Sequence, residues 1–151
     1  MKELNRDFTR VKTSSIHGSG VFAKRNIPKG TRIFEYAGAR VLKSSLATDL
    51  AAGLSSLAYV MNLNETTAID GERGGNDARF INHSCNPNCE VLYFNETPYI
   101  YSIRQIDIDE ELSFDYQYDA GPDAFLSEEE KRKWFPCCCG AENCRGTLIH
   151  D

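Results

Sequence analysis

The chain has 151 residues, 41% of them hydrophobic and 26% charged, with a formal net charge of −5. That size and balance describe one globular domain with a real core, and the acidic total argues against non-specific nucleic-acid binding while suiting a basic partner. No apolar run reaches the roughly 20 residues of a membrane span, and the opening Met-Lys-Glu-Leu-Asn-Arg-Asp lacks the apolar segment of a secretory signal.

An intracellular protein, cytoplasmic or nuclear, is therefore expected. Its six cysteines then read as thiols or metal ligands rather than disulfides. A monomer without membrane or direct nucleic-acid contacts is the simplest expectation.

In chain order, residues 8–13 alternate like a strand, and His17-Gly18-Ser19-Gly20 leads into a second apolar run, Val21-Phe22-Ala23. The two glycines permit close approach of backbone to a ligand, or a turn with positive φ. With no third glycine and no helix behind them, they do not make a dinucleotide motif. Short strands are predicted over 31–36 and 40–42. Over residues 44–58 the period changes: Leu46, Leu50, Leu54 and Leu57 share one helical face, which predicts an amphipathic helix. Strands follow over 59–63 and 66–69, then a turn-rich loop over 70–76. Residues 90–94 and 99–104 form a hairpin across Asn95-Glu96-Thr97-Pro98, and 111–116 form another strand. Ser127 to Glu130 is a capping box that starts a short helix reaching about Trp134. Many short strands and little helix give a β-rich domain.

Residues 79–89 read Arg-Phe-Ile-Asn-His-Ser-Cys-Asn-Pro-Asn-Cys. Asn, Ser and Pro together mark irregular backbone. Asn82, His83 and Asn88 each donate and accept hydrogen bonds, which suits a loop that holds a polar ligand or pins another segment. In the tail, Cys137, Cys139 and Cys144 offer three thiolates at short spacing. A structural zinc site takes four ligands, so the fourth lies elsewhere, and Cys85 and Cys89 are the remaining candidates. A metal tying the tail to the 79–89 loop would order both. Unligated thiols or a redox pair are the alternatives. Cys138 is excluded from the same site, because adjacent residues rarely both reach one ion.

These segments together resemble the SET-domain protein-lysine methyltransferases with a cysteine-rich post-SET tail. The resemblance is carried by Ser15-Ile-His-Gly-Ser-Gly-Val-Phe-Ala23, Glu35-Tyr-Ala-Gly38, residues 70–89, Glu110-Glu-Leu-Ser-Phe-Asp-Tyr116 and residues 137–148, in the family's order. It implies a mainly β (α+β) fold of small curved sheets. In that fold 79–89 and 111–116 cross in a pseudoknot core, with a helical insert at about 39–63. It divides the chain into a SET domain over 8–120, a linker with a short helix over 121–135 and a post-SET zinc-binding segment over 136–151.

The resemblance also implies the site. S-adenosylmethionine would contact His17, Gly18, Ser19, Tyr59, Asn82, His83 and the backbone of Cys138. One structural zinc would be held by Cys85, Cys137, Cys139 and Cys144, with Cys89 a small buried hydrophobe. Tyr116 and Tyr36 would be catalytic, and Tyr36, Phe114, Tyr116 and Tyr118 would line the lysine channel. Where some relatives have tyrosine, Phe114 leaves room for a second and third methyl group. The implied function is methylation of lysine in a basic protein or peptide, a histone among the candidates. The contrasting reading is a non-catalytic SET module that binds a partner peptide. A zinc hydrolase is disfavoured, since four thiolates leave the metal closed. Three positions depart from the family's pattern: Ser19 is small, Ala39-Arg40 follows Gly38, and Asp109 stands where a turn glycine is usual.

Overall fold

The computed structural model describes residues 7–16, 18–116, 127–134 and 136–148. His17 and Tyr118 lie outside the described residues. Among the described residues, ten strands form four small sheets. Strands β1 (Thr9–Thr13) and β2 (Ser19–Ala23) make an antiparallel hairpin. β3 (Arg32–Glu35) packs on β9 (Thr97–Ser102), which pairs in turn with β8 (Cys89–Phe94). β4 (Ala39–Leu42), β6 (Thr67–Asp70) and β5 (Val60–Asn62) form the third sheet, with β6 central. The fourth is a two-residue parallel pairing of β7 (Asn82–His83) with β10 (Ser113–Phe114).

The core lies where the sheets meet. Val21 and Ala23 of β2, Ile27, Ile81, Ile100 of β9, Ile106 and Leu112 are all fully buried and belong to one cluster. Strict alternation in β9 puts Pro98, Ile100 and Ser102 inward and leaves Thr97, Tyr99 and Tyr101 half-buried on the other face.

Three expectations change. The predicted helix over 44–58 shrinks to a 3-10 turn at Lys43–Ser45 and α1 (Leu46–Ala51), and Gly53, at φ +73, ends it. Its leucine period is real, but among the described residues that face stays largely open: Leu50 and Leu54 are 51% and 57% exposed. The predicted strand over 111–116 shrinks to Ser113–Phe114: before it, Glu111 bridges Phe22 and the Leu112 N–H donates to the Val21 carbonyl of β2, and after it the Tyr116 N–H donates to the His83 side chain. The β8–β9 turn is only Asn95-Glu96, both with φ near +55 (52 and 60), which matches the twist of a tight hairpin. The capping box is present as read. Ser127 and Glu130 exchange side-chain-to-backbone bonds of 3.1 and 3.0 Å at the start of α2 (Glu128–Trp134). Asp109 takes its turn at φ 72, the left-handed region that glycine enters without strain.

One buried charge ties the third sheet to the insert. Asp70 is 0% exposed. Its carboxylate accepts from Arg73 Nε and from the Glu72 N–H, both at 2.9 Å, and Arg73 Nη2 reaches Asp49 of α1 at 3.0 Å. Burial alone would raise the Asp70 carboxyl, but the Ser55 hydroxyl, the Glu72 N–H and Arg73 together hold it below its ordinary 3.8. The folded chain thus binds this proton more weakly than the unfolded chain. The stabilisation is complete above about pH 4 and is lost as the pH falls through the lower folded value. Asp70→Asn should cost roughly 1–3 kcal/mol at pH 7, the cost of weakening the buried hydrogen bonds it accepts. It should also show a smaller loss of stability than wild type between pH 5 and pH 3 in denaturant titrations. Parallel losses in the two proteins would contradict the assignment.

Candidate active site

The parallel pairing of β7 with β10 sets Asn82 beside Ser113 and His83 beside Phe114. So short a pairing needs side chains to hold it. Asn88, 2% exposed, imitates a strand: its Nδ2 donates to the Glu111 carbonyl at 2.8 Å and its Oδ1 accepts the Ser113 N–H at 2.9 Å. His83 Nδ1 accepts the Tyr116 N–H at 3.0 Å. That bond leaves the ring proton on Nε2, which faces Cys85 Sγ at 3.3 Å. Burial, partly opposed by Asp115, keeps the His83 pKa below its ordinary value, consistent with a neutral ring.

The loop between β1 and β2 is brought to the same place. Asn82 Nδ2 donates to the Ser19 carbonyl and to Glu111 Oε2, both at 3.0 Å, and the Ser14 hydroxyl donates to the Glu111 carboxylate at 2.9 Å. Gly20 leaves room for this arrangement, since a Cβ would stand 2.3 Å from Glu111 Oε2 and push that carboxylate off Ser14 and Asn82. Gly18, at φ +46, has no described atom within 4 Å of where its Cβ would point, and its carbonyl accepts the Ser14 N–H at 2.7 Å.

A second group of predicted residues lines a cleft of about 750 Å³. Tyr36, Tyr59, Phe114 and Tyr116 are in its wall, with β5 along one side and Glu90, Val91 and Tyr93 of β8 along another. The Tyr116 hydroxyl donates to the Ile81 carbonyl at 2.5 Å, and the Tyr36 hydroxyl donates to the Tyr59 carbonyl at 2.9 Å. Each hydroxyl spends its proton on the backbone, so towards a ligand its oxygen acts as an acceptor. Phe114 and Tyr116 pack with ring centroids 5.1 Å apart, and the His83 ring meets the edge of Tyr116 at 5.3 Å. Gly18, Ser19, Asn82 and His83 are not among the residues lining this cleft.

The tail folds back onto Cys85. The sulfurs of Cys85, Cys137, Cys139 and Cys144 lie within 4.8 Å of one another, with Cys85–Cys137 at 3.9 Å and Cys137–Cys144 at 3.7 Å. A tetrahedron with metal–sulfur bonds of ~2.3 Å has edges of about 3.8 Å, so the set fits zinc. Backbone N–H groups point at the sulfurs: Cys85 N to Cys139, Arg145 N to Cys85 and Gly146 N to Cys144, at 3.3–3.4 Å. Such bonds favour thiolates. Burial acts to raise the Cys139 thiol, yet the N–H groups of Cys85 and Ala141 bring it down to about 6. Burial pushes Cys85 and Cys137 up. Cys138 is exposed and is not one of the four. Cys89 is 1% exposed, its thiol pushed to about 12 by burial, as a small core hydrophobe should be.

Four residues at this site carry bonds that residue-type reasoning did not assign: Ser14, Glu111, Asp115 and Arg145. Asp115 and Arg145 form a two-bond ion pair at 2.8 and 3.2 Å that ties the tail to β10. A paired Glu110-Glu111 before an apolar strand and an arginine next to a cluster cysteine were the only signals. Asn88 had been read as able to pin another segment, and it does.

A family model for the SET domain matches residues 18–117. The chain belongs to the SET-domain family. Among its relatives, a protein named histone-lysine N-methyltransferase, H3 lysine-4 specific, from Aspergillus oryzae is 35% identical over 147 residues. That match covers 92% of this chain and 11% of the relative. Human histone-lysine N-methyltransferase 2B is 34% identical over 156 residues, covering 98% of the chain and 5% of the relative. Drosophila melanogaster histone-lysine N-methyltransferase SETD1 is 39% identical over 145 residues, covering 89% and 8%. The chain thus spans about a tenth or less of the length of these curated relatives. No helix among the described residues is long and apolar enough to cross a membrane.

Cys85→Ser should reduce the zinc that co-purifies with the reduced protein from near one equivalent to a small fraction, measured by elemental analysis. Cys138→Ser should leave it unchanged. Full zinc retention in Cys85→Ser would remove Cys85 from the metal site.

Proposed function

We propose that this chain transfers methyl groups from S-adenosylmethionine to the side-chain nitrogen of lysine in a protein substrate, with a histone tail the leading candidate. The carrying observation is the pair of tyrosine hydroxyls, Tyr36 and Tyr116, fixed as acceptors in the wall of an aromatic cleft. Membership of the SET family and relatives named as histone-lysine methyltransferases support the reading. The net charge of −5 suits a basic substrate.

The residues present fit the methyl donor. Gly18, with free space on its Cβ side, the Ser19 carbonyl held by Asn82, and the β7 segment form a polar rim from two parts of the chain distant in sequence. When bound, S-adenosylmethionine supplies an electrophilic methyl group on a positively charged sulfur. Cys85, Cys137, Cys139 and Cys144 would hold zinc in a purely structural role, with four thiolates closing its coordination.

The chain's residues then have three tasks. The first is to present the amine uncharged. Free lysine has a pKa of ~10.4, and an aromatic cleft disfavours the ammonium by desolvation. The faces of Tyr36, Phe114 and Tyr116 still accept its alkyl stem and methylated head. The second task is alignment. The Tyr116 oxygen, anchored through its own proton to Ile81, accepts from the amine N–H or from the polarised methyl C–H, and Tyr36 accepts on another side. The third is room for product. Phe114, 6% exposed and packed on Tyr116, brings no hydroxyl to hold a water or the amine, which favours di- and trimethylation.

The test is labelled-methyl transfer to histones and to a protein lysate, with product resolved by mass spectrometry. Wild type should yield di- or trimethyl-lysine. Tyr116→Phe should lower turnover by about 100-fold or more, in the range of a lost transition-state contact, with little change in affinity for the methyl donor. Peptide binding without any transfer would instead support a non-catalytic module, and undiminished turnover in Tyr116→Phe would remove that residue from the mechanism.

A further inference from the structure

We propose that Tyr93 decides which residues can flank the target lysine. Its ring, strapped by the hydroxyl to the Asn62 carbonyl, closes one end of the cleft. A substrate must then carry a small residue, glycine or alanine, on that side of its lysine. The inference rests on the methyl-transfer reading above.

The cleft lies between two sheets. β5 is an edge strand of the sheet ordered β4-β6-β5, and β8 is an edge strand of the sheet ordered β3-β9-β8. Residues from Ala58 to Asn62 line one wall, and Cys89, Val91 and Tyr93 line the other. These three share one face of β8 by strand alternation. Along that face exposure rises from 1% at Cys89, through half-buried Val91, to 48% at Tyr93. The strand thus runs from the core to the rim, and Tyr93 stands at the rim. There its hydroxyl donates to the Asn62 carbonyl at 3.0 Å. A bond from one wall to the other holds the ring across the gap. Tyr36, Phe114 and Tyr116, which the methyl-transfer reading assigns to the lysine, line the same cleft.

A ring held at one end of a binding cleft selects by exclusion. A side chain that overlaps it must break the bond to Asn62 or lift its own backbone, and a lifted backbone withdraws the lysine from the tyrosine hydroxyls. Glycine and alanine meet neither cost. Holding the sheets together does not account for Tyr93. Arg40 of β4 already reaches the β8–β9 turn, donating from Nη1 to the Glu96 carbonyl at 2.9 Å. Tyr93 also leaves nearly half its surface in water, so it contributes less by burial than a core aromatic. Its replacement should therefore leave folded protein to assay.

The experiment uses peptides taken around the lysine that wild type methylates in the labelled-methyl assay. The residues on either side of that lysine are set in turn to glycine, alanine, leucine, phenylalanine and tryptophan. The readout is the ratio of kcat/KM for alanine to that for tryptophan at each position, which the fraction of folded enzyme does not alter. Wild type should show a ratio of about 10-fold or more at one flank. Tyr93→Ala should bring it to about 2-fold, by gain on the bulky peptides. Tyr93→Phe keeps the ring without the strap and should fall between them. Equal use of small and bulky flanks by wild type, or a Tyr93→Phe enzyme as selective as wild type, overturns the proposal. A wild-type chain that transfers no methyl group overturns both this inference and the reading on which it rests. Methyl transfer with the ratio unmoved in Tyr93→Ala at every position overturns this inference alone.

Discussion

The pairing of Asn82–His83 with Ser113–Phe114 holds the site together, and it has little backbone bonding of its own. Two residues per strand cannot supply a ladder that survives by itself. Asn88 supplies the missing rungs, since a side-chain amide carries the same donor and acceptor as a peptide group. It does so buried, where leaving either bond unmade would cost about 1–3 kcal/mol. The pairing is therefore enforced rather than merely permitted. Its register decides which side chains of each segment face which neighbour.

From that register several local facts follow. His83 receives the Tyr116 N–H, so the proposed catalytic tyrosine is placed by a ring on the facing segment. The Tyr116 hydroxyl is aimed by the carbonyl of Ile81, one residue before β7. Asn82 holds the β1–β2 loop, and Cys85, three residues along, joins the tail cluster. The tail answers through Arg145, which grips Asp115 between Phe114 and Tyr116. One stretch of four residues thus touches the loop proposed for the methyl donor, the tyrosine proposed for catalysis and the thiols proposed for zinc.

The chemistry of the site was legible in the sequence where residue type and spacing carry it. Three cysteines at short spacing and one distant partner converge as expected, and the cleft gathers Tyr36, Phe114 and Tyr116. The core alternation of β9 and the capping box at Ser127 also read directly, because each is a local rule. What did not read was long-range pairing by polar side chains. Ser14 and Glu111 are 97 positions apart, and nothing in either neighbourhood announces the bond. The helix over 44–58 failed for the opposite reason. Its leucine period is a local signal, but a period states only which residues share a face, and here Leu50 and Leu54 remain more than half exposed. The segment 111–116 is shared between two partners, with Glu111 and Leu112 bonding to β2 and only Ser113–Phe114 pairing with β7, a division that no local pattern marks.

The central claim is that the segment from Asn82 to Cys85 makes the order of the tail and the closure of the methyl-donor site one event. The direct measurement is a chelator titration of the purified chain, following zinc release and S-adenosylmethionine affinity in the same samples. The two should fall together, with affinity lost in proportion to the zinc removed and regained when zinc is restored. Full affinity in a chain stripped of its zinc would contradict the claim.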